Sequence, residues 1–453
     1  MLFTTEWLSK HFTDFSGNVE SIAIEEVFTD SRVKATDALF VPIVGENFDA
    51  HDYMKQAFEN GAAAVLWNRE KRLPEFLPTD FPVFFVDNTV EALQQLAAYY
   101  RSEIDPTVIG ITGSNGKTTT KDLVAGMVKM VYQTHYTDGN YNNHIGLPLT
   151  ILSMPRDTEV LVLEMGMSDF GEIDLLSRIA RPDHVIITNI GESHIEYLGS
   201  REGIAEAKLE ITNGMKEDGL IIIDGDEDLL KPVHNQKGCI TCGFHAGNDM
   251  VIKNVEIMPH QTNFQLGDGI SYTIPLLGKH HALNATFAIA LGERMGIDIE
   301  KRRQALLSLE LTGMRFEMIK GINDVSIIND AYNASPTSMK AAIEVVKQMD
   351  GFTEKVLILG DILELGEYSQ VMHQSIATVI DDPITVVFTY GNESKHISTA
   401  VKENNKSIHC MHFTEKEELL HALKAYLKRR ALLLFKASRG LQFESFINEI
   451  THP

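Results

Sequence analysis

A glycine-rich run between an apolar strand and a helix carries the clearest chemistry in the sequence. Residues 108–119 read Val-Ile-Gly-Ile-Thr-Gly-Ser-Asn-Gly-Lys-Thr-Thr. Glycines in such a turn let backbone N–H groups point at phosphate oxygens, the lysine adds a positive charge, and the next threonine offers a hydroxyl to magnesium. The run therefore predicts a nucleotide-phosphate site made of Gly113, Ser114, Asn115, Gly116, Lys117, Thr118 and Thr119.

The run departs from the general P-loop pattern G-x-x-x-x-G-K-[ST] at one position. That pattern needs glycine at 111, where the chain has Ile111. A glycine-rich turn with a surface lysine is the alternative. The Gly-Lys-Thr ending, the β-branched residues before it and the helical spacing of apolar residues over 122–131 favour phosphate binding.

Polar residues follow further apolar runs in the middle of the chain. Glu164 follows the run 160–163, and His194 follows the run 185–190. Alternating strands and helices predict a mostly parallel sheet, whose ligands gather at the carboxyl ends of the strands. Glu164 is placed to hold magnesium, although a helix cap or a salt bridge would use the same residue. For His194, spacing alone leaves a metal ligand and a hydrogen-bonded surface residue equally open.

Two helices contribute polar residues in unusual positions. Lys208 falls in the apolar stripe of the predicted helix 201–214. Burial would lower its pKa and favour a neutral amine that can act as a base, a nucleophile or a target for carbon dioxide, but the stripe alone favours snorkelling to solvent. After the histidine pair 280–281, a long helix is predicted to present Asn284 to a base or ribose.

The last third of the chain repeats the pattern of strands followed by polar clusters. Apolar runs at 325–328, 356–359, 386–388, 408–413 and 431–435 predict strands. The clusters read Asn-Asp-Ala-Tyr-Asn from 329, Gly-Asp-x-x-Glu from 360 and Lys-Ala-Ser-Arg-Gly from 436. They indicate a second sheet that faces nucleotide or substrate, although turns use the same residue types.

Composition limits the class of protein. The 453 residues suggest about three domains, predicted as 1–104, 105–314 and 315–453. A net charge of −23 argues against nucleic acid or an anionic membrane as the main partner. No apolar run is long enough to span a membrane. Three cysteines, two of them in the Cys239-x-x-Cys242 pair, indicate a reducing cytoplasm and are expected to be core or loop thiols rather than a redox pair.

Taken together, the motifs resemble those of the Mur ligase family over essentially the whole chain. The segments that carry the resemblance are 30–32, 112–118, 139–143, 330–334, 360–366 and 436–439. The resemblance implies an α/β fold of three domains. A central P-loop domain with a mostly parallel sheet would be flanked by an N-terminal UDP-substrate-binding α/β domain and a C-terminal Rossmann-like α/β domain.

The resemblance also implies roles for individual residues. Lys208 aligns with the family's carbamylated lysine, whose carbamate helps to position Mg²⁺. The implied catalytic residues are Lys117, Lys208, His194 and Glu164, and the implied metal site is Thr118, Glu164, His194 and Lys208. For ATP, Asn284 would approach the adenine, Arg315 the phosphates, Asp330 the ribose and Tyr332 the base. Substrate binding is implied for Ser31 and Arg32 at the UDP end, and for Asn140, Asn142, Asn143, Asn333, Asp361, Glu364, Lys436, Ser438 and Arg439.

One residue departs from the family pattern near the C-terminus. Where Lys-Gly-Ser-Arg is expected, the chain has Ala437 in place of the glycine. The charged residues keep their positions. This departure raises the question of whether the backbone at 437 adopts a conformation that alanine can also take.

By resemblance, the expected activity is an ATP-dependent, ADP-forming amide ligation in peptidoglycan synthesis. It would join D-alanyl-D-alanine to the terminal carboxylate of a UDP-N-acetylmuramoyl-tripeptide through an acyl phosphate, in a cytoplasmic monomer whose domains close around the substrates. A sister ligase adding another amino acid is the first alternative. The Asn-Pro-Arg type of motif expected of the diamino-acid-adding sister is absent. A non-catalytic P-loop scaffold is the second alternative.

Overall fold

Three large sheets follow one another along the chain. The computed structural model describes residues 1–258, 260–309 and 313–451. Their sheets have five, nine and six strands, and a two-stranded ribbon joins residues near the N-terminus. Within these residues no helix combines the length and apolarity needed to cross a membrane. The α/β class predicted from the sequence is confirmed.

The first sheet is mostly parallel, with order β2-β7-β6-β5-β4 and an antiparallel edge at β2. Its central strand β6 is almost wholly apolar, as expected of a parallel strand covered on both faces. The elements are β1 Phe3–Thr4, α1 Thr5–His11, β2 Phe15–Ser16, β3 Ala23–Ile24, β4 Glu26–Phe28, β5 Ala38–Phe40, α2 Met54–Glu59, β6 Ala62–Asn68, β7 Val83–Val86 and α3 Thr89–Ile104.

The second sheet has the order β16-β15-β14-β13-β12-β11-β8-β10-β9. It is parallel from β9 to β14, and β15 and β16 add antiparallel strands at one edge. The elements are β8 Thr107–Thr112, α4 Lys117–Val128, β9 Thr134–Tyr136, α5 Gly146–Leu152, β10 Val160–Glu164, α6 Glu172–Ala180, β11 His184–Ile187, α7 Ile195–Leu198, α8 Arg201–Leu209, β12 Leu220–Asp224, α9 Lys231–His234, β13 Cys239–Gly243, β14 Met250–Met258, β15 Gln261–Leu266, β16 Ser271–Ile274, α10 Lys279–Arg294 and α11 Ile299–Leu307.

The third sheet has the order β17-β18-β22-β19-β20-β21 and is parallel except at β17. The elements are β17 Glu317–Lys320, β18 Ser326–Asn329, α12 Pro336–Gln348, β19 Glu354–Gly360, α13 Ser369–Ile376, β20 Val386–Tyr390, α14 Lys395–Asn404, β21 His409–Phe413, α15 Lys416–Leu423, β22 Ala431–Lys436 and α16 Glu444–Thr451. The three sheets lie within the three predicted domains, whose boundaries remain predictions.

Strand register brings the polar residues of the second sheet together. β10 and β11 flank β8 as parallel neighbours, with Glu164 opposite Ile111 and Ile187 opposite Thr112. The carboxyl ends of these strands therefore meet at the edge where β8 runs into the glycine-rich loop. This is the edge at which parallel α/β sheets bind ligands.

The cysteines do not form a redox pair. Cys239 and Cys242 lie on the same strand, β13, three positions apart, so their side chains point to opposite faces of the sheet. All three cysteines are free thiols. Burial raises the pKa of Cys239 to about 11 and that of Cys242 well above its ordinary value. Both are structural thiols, as the sequence predicts.

A carboxyl group at the end of β12 makes stability depend on pH. Burial, together with the nearby carboxylates of Asp226 and Glu227, raises the pKa of Asp224 from 3.8 to about 7. The protonated form therefore contributes stability that is complete below about pH 4 and is lost as the pH rises to about 7. We expect Asp224→Asn, which keeps an acceptor for the Asp226 N–H at 3.0 Å, to raise the free energy of unfolding at pH 8.

Urea unfolding at pH 5 and pH 8 measures this effect. Each pKa unit corresponds to about 1.4 kcal/mol, so the gain at pH 8 should be about 2–4 kcal/mol and should shrink at pH 5. Asp228→Asn is the control, because exposed Asp228 has a pKa lowered by its hydrogen bond to Lys231 and should show no such gain. Equal stability of wild type and Asp224→Asn at pH 8 would contradict the prediction.

Candidate active site

A polar cavity of about 560 Å³ lies between the second and third sheets. Residues from the carboxyl ends of strands in both sheets line it. Of the residues predicted from the sequence, the lining contains Ser114, Asn115, Gly116, Lys117, Thr118, Thr119, Asn140, Asn142, Asn143, Glu164, His194, Asn284, Arg315, Asp330, Tyr332, Asn333 and Lys436. The fold thus brings together groups that are more than 300 positions apart in the sequence.

The glycine-rich loop has a backbone that only glycine suits. Gly113 has φ +149°, and a Cβ built on it would lie 1.8 Å from Thr188 Oγ1. Gly116 has φ +77° and directly precedes α4, whose first turn has no side-chain cap. The hydroxyl of Ser114 and the amide nitrogen of Asn115 are buried without a protein partner. Uncapped N–H groups and unpaired buried donors fit a polyphosphate.

Neighbouring residues after β11 hold this loop in place. Asn189 accepts the Ser114 N–H on its backbone carbonyl at 3.0 Å and the Asn115 N–H on its side-chain oxygen at 2.9 Å. Thr188 Oγ1 donates to the Asn115 carbonyl at 2.6 Å. Asn189 could not be predicted, because it falls inside the apolar run 185–190, whereas the strand itself ends at Ile187.

Lys117 lies inside the loop. Its Nζ donates to the Gly113 carbonyl at 2.8 Å. Burial lowers its pKa, the carboxylate of Glu164 acts in the opposite direction, and Arg315 lowers it further. An anion bound in this loop would favour the charged form of the lysine.

Glu164 and Thr118 form a set of hard oxygen donors beside the loop. Thr118 Oγ1 donates to Glu164 Oε2 at 2.7 Å, and Asn142 Nδ2 donates to Glu164 Oε1 at 2.8 Å. In the described part of the chain, no three His, Cys, Asp or Glu side chains converge as a metal cluster. Mg²⁺ ordinarily takes one or two carboxylates and completes its octahedron with phosphate oxygens and water. The Thr118 and Glu164 oxygens fit such an ion.

Lys208 is buried in α8, with a relative exposure of 2%. Burial and the positive charge of Lys117 lower its pKa well below the ordinary value. Snorkelling to solvent, which the apolar stripe favours, is therefore wrong, because the ammonium end is buried too. Lys208 does not line the cavity directly.

The nucleotide-side residues of the third sheet make contacts with one another. The Arg315 guanidinium lies 4.1 Å from the centre of the Tyr332 ring, and its Nε is buried without a partner. Burial raises the pKa of Tyr332. Asp330 Oδ2 accepts a hydrogen bond from Lys436 Nζ at 2.6 Å. Across the cavity, Asn284 approaches the glycine-rich loop.

A smaller cavity of about 170 Å³ adjoins the first. Five predicted residues line it: His194, Asn333, Glu364, Ser438 and Arg439. His194 Nδ1 lies 2.5 Å from Glu364 Oε2, and this contact lowers the pKa of Glu364. The two cavities share His194 and Asn333. The smaller one therefore opens next to the candidate phosphate and metal site.

Asp361 and the N-terminal pair Ser31 and Arg32 line neither cavity. Ser31 Oγ donates to Gln56 Oε1 at 2.8 Å, and Arg32 forms an ion pair with Asp30 at 2.7 Å. The Asp361 carboxylate accepts three backbone N–H groups just before and at the start of α14. The Asp361 carboxylate is therefore buried and hydrogen-bonded to the backbone in this structure, and its predicted contact with substrate stays a prediction.

Ala437 is accommodated without strain in the segment where a glycine was expected. Its φ is not in the left-handed region. The space that its Cβ needs is provided by Gly360, where an added Cβ would lie 2.6 Å from the Ala437 Cβ. The alanine and the facing glycine therefore fit together.

Contacts across the cavity join the second and third sheets. Ser335 Oγ donates to Asn115 Oδ1 at 2.8 Å, and Thr337 Oγ1 donates to Glu192 Oε2 at 2.7 Å. Both Ser335 and Thr337 lie at the start of α12. Neither contact could be predicted, because a serine and a threonine beside a proline are ordinary helix-start residues.

Comparison with known proteins identifies the class to which this fold and cavity belong. Residues 111–292 match the Mur ligase middle domain, residues 314–439 match the Mur ligase glutamate ligase domain, and residues 23–101 match the Mur ligase family catalytic domain. The chain belongs to the Mur ligase family.

Particular relatives are similar over nearly the full chain. The UDP-N-acetylmuramoyl-tripeptide–D-alanyl-D-alanine ligase of Bacillus subtilis is 49% identical over 95% of this chain and 94% of its own length. A crystal structure of MurF from Acinetobacter baumannii superposes with a TM-score of 0.87 at 28% identity, covering 99% of this chain and 98% of that one. MurF ligase from Thermotoga maritima in complex with ADP gives 0.83 at 29% identity, covering 95% and 97%.

Proposed function

We propose that this protein joins D-alanyl-D-alanine to the terminal carboxylate of a UDP-N-acetylmuramoyl-tripeptide, with ATP converted to ADP and phosphate, in peptidoglycan precursor synthesis in the cytoplasm. One observation carries the proposal: a single cavity combines the phosphate loop, the Glu164 carboxylate and the strand-end clusters of the third sheet. The B. subtilis relative with this activity in its name supports the choice of substrates.

ATP would bind in the larger cavity with its phosphates on the glycine-rich loop. The ADP complex of the T. maritima relative supports this nucleotide. Arg315 would contact the phosphates, Asn284 and Tyr332 the adenine side, and Asp330 the ribose. Lys436, which donates to Asp330 at 2.6 Å, would hold that carboxylate in place.

The chemistry begins with attack of the tripeptide carboxylate on the terminal phosphate of ATP. Both reactants are anionic, so the barrier includes charge repulsion, which Lys117 and Arg315 would offset. The products are ADP and an acyl phosphate. The dipeptide amine then attacks the acyl carbon, phosphate leaves, and the ammonium proton lost on attack passes to solvent or to a nearby base.

Mg²⁺ would be held by Thr118 and Glu164, with His194 and a carbamylated Lys208 as the other proposed members of its site. When bound, the ion would neutralise phosphate charge and orient the terminal phosphate. The hydroxyl and carboxylate oxygens at this position have the hardness that Mg²⁺ prefers.

The smaller cavity would receive the dipeptide. Glu364 and Arg439 offer opposite charges for the ammonium and carboxylate of a zwitterion, and Ser438 and Asn333 add polar contacts.

Asn140, Asn142 and Asn143 would face the tripeptide end of the other substrate, and Ser31 and Arg32 would face its UDP end. We place the domain boundaries after residues 104 and 314 and expect a monomer that closes around its substrates.

The test is phosphate release from ATP and Mg²⁺ with UDP-N-acetylmuramoyl-tripeptide, with and without D-alanyl-D-alanine, and with the product followed by mass. Dipeptide-dependent release with formation of the pentapeptide would support the proposal. Product formed with a single amino acid instead would indicate a sister ligase. Nucleotide binding without any amide product would indicate a scaffold.

A further inference from the structure

The loop that follows β19 is fixed by hydrogen bonds along its backbone. The Ser438 N–H donates to the Asp361 carbonyl at 3.0 Å, and the Leu363 N–H donates to Ser438 Oγ at 2.9 Å. On the other side, the Glu196 N–H donates to the Glu364 carbonyl at 3.3 Å. Glu364 itself has φ +61°, a left-handed conformation that a non-glycine residue keeps only when its surroundings impose it.

His373 supplies the contact between this loop and helix α13. It is fully buried, and its Nε2 accepts the Ile362 N–H at 3.0 Å. Its Nδ1 lies 2.7 Å from the Ser369 carbonyl, which can only accept. The ring is therefore a neutral imidazole with its hydrogen on Nδ1, and both nitrogens are used. Burial lowers the pKa of His373 and favours this neutral form.

Asp361 ties the same loop to helix α14. One carboxylate oxygen accepts the N–H groups of Glu393 at 2.9 Å and Ser394 at 2.7 Å, and the other accepts that of Asn392 at 2.8 Å. These donors belong to the turn that leads from β20 into α14, which begins at Lys395. A carboxylate bound in this way is rigid and cannot turn toward a substrate.

The two contacts directly precede the short segment that carries Glu364 to the smaller cavity. Asp361 and Ile362 are held from the side of the third sheet, and Glu364 follows two residues later with its carboxylate against His194. Neither Asp361 nor His373 lines either cavity. Their effect on a substrate must therefore pass through the loop.

We propose that His373 and Asp361 are positioning residues for the incoming amine, because together they set the backbone of 361–366 from which the Glu364 carboxylate reaches the smaller cavity. This inference rests on the proposed function, since it assigns the dipeptide to that cavity. Loss of either contact would move Glu364 without touching the glycine-rich loop. A displacement of about 1 Å at a positioned group can cost on the order of a hundredfold in rate.

The test separates the two half-reactions in the full-length protein. In the first assay the dipeptide is left out, and hydroxylamine converts the acyl phosphate formed from ATP and UDP-tripeptide into a hydroxamate, which is measured. In the second assay, amide formation is measured as a function of D-alanyl-D-alanine concentration. For His373→Leu, which leaves the Ile362 N–H without an acceptor, we expect the KM for dipeptide to rise about tenfold or more, while hydroxamate formation stays within about twofold of wild type. His373→Gln keeps an acceptor and a donor and should recover most of the dipeptide affinity.

Two further variants keep the outcome decisive. Ile376→Ala removes a buried apolar side chain from the same helix, one that makes no hydrogen bond to the loop, so it controls for general loss of stability and should leave the dipeptide KM unchanged. Asp361→Asn tests the second contact and decides the question if His373→Leu does not fold. An unchanged dipeptide KM, a parallel fall of hydroxamate formation, or an equal effect of Ile376→Ala would overturn the inference. A wild-type protein that forms no amide would instead overturn the proposed function.

Discussion

Replacing Lys208 by alanine is expected to lower kcat/KM for amide formation by about a hundred- to a thousandfold, and short carboxylates such as acetate should restore part of it. The reason is the environment of the side chain. Lys208 is buried, and burial together with Lys117 holds its pKa well below the ordinary value. A neutral amine reacts with carbon dioxide to give a carbamate, whose negative charge would relieve the repulsion from Lys117.

A spectroscopic measurement separates a carbamate from a plain structural lysine. With ¹³C-labelled carbon dioxide, the wild type should show a carbamate signal that Lys208→Ala lacks. Lys355→Ala is the matched control, because Lys355 is also buried with a lowered pKa but donates to the Lys347 carbonyl at 2.8 Å. It lies at the amino end of β19, whereas the cavities lie at the carboxyl ends of the strands. Full activity of Lys208→Ala, or a carbamate signal that persists in it, would remove the proposed role.

The phosphate loop could be predicted because its chemistry is local. The glycines, Lys117 and Thr118 lie within a few consecutive residues, and the strand and helix on either side follow from short-range patterns. Glu164 could be predicted for a related reason. A residue just after a buried parallel strand must lie at the ligand-binding edge, whatever the strand order, and the register with β8 places it there.

The residues that hold the loops could not be predicted in the same way. Asn189 and His373 act through contacts with backbone groups 74 and 11 positions away, respectively. Nothing in their local sequence distinguishes them from other polar residues. Asp361 shows the opposite case, because an acidic residue after a strand looks like a ligand-binding group, yet its oxygens accept three backbone N–H groups from the turn before α14. Only the three-dimensional arrangement shows which way such a carboxylate points.

The apolar stripe around Lys208 was visible in the sequence, but burial of its ammonium group could not be predicted from it. A long lysine can often reach water from a helix face, so burial of the ammonium group depends on what packs against it. Here α8 packs against α6 and α7, and the charge that lowers the pKa of Lys208 is that of Lys117, which lies 91 positions earlier (208 − 117). The family resemblance implies that the lysine is carbamylated, and its burial favours the neutral amine that this reaction needs.

Glu164→Gln is expected to abolish the contribution of Mg²⁺ to nucleotide binding and to lower kcat/KM by about a hundredfold or more. Glutamine keeps the size of the side chain and an acceptor for the Thr118 hydroxyl, which lies 2.7 Å from the carboxylate. It removes the negative charge that would bind the ion. Affinity for ATP without Mg²⁺ should stay the same or rise, because a carboxylate close to the phosphates is repulsive.

Calorimetry of ATP binding with and without Mg²⁺ measures this difference directly. Glu172→Gln is the control, since Glu172 lines the same cavity but is not part of the phosphate loop. Its carboxylate accepts the Ser168 N–H, and this hydrogen bond is 2.6 Å long. The pH dependence adds a second readout. Glu164 raises the pKa of buried Lys117, so its loss lowers that pKa further, and the activity deficit should grow as the pH rises and Lys117 loses its proton. If Mg²⁺ still strengthened ATP binding to Glu164→Gln as much as to the wild type, the ion would have to be held elsewhere, and the carboxylate would be left with the role of orienting Thr118 and Asn142.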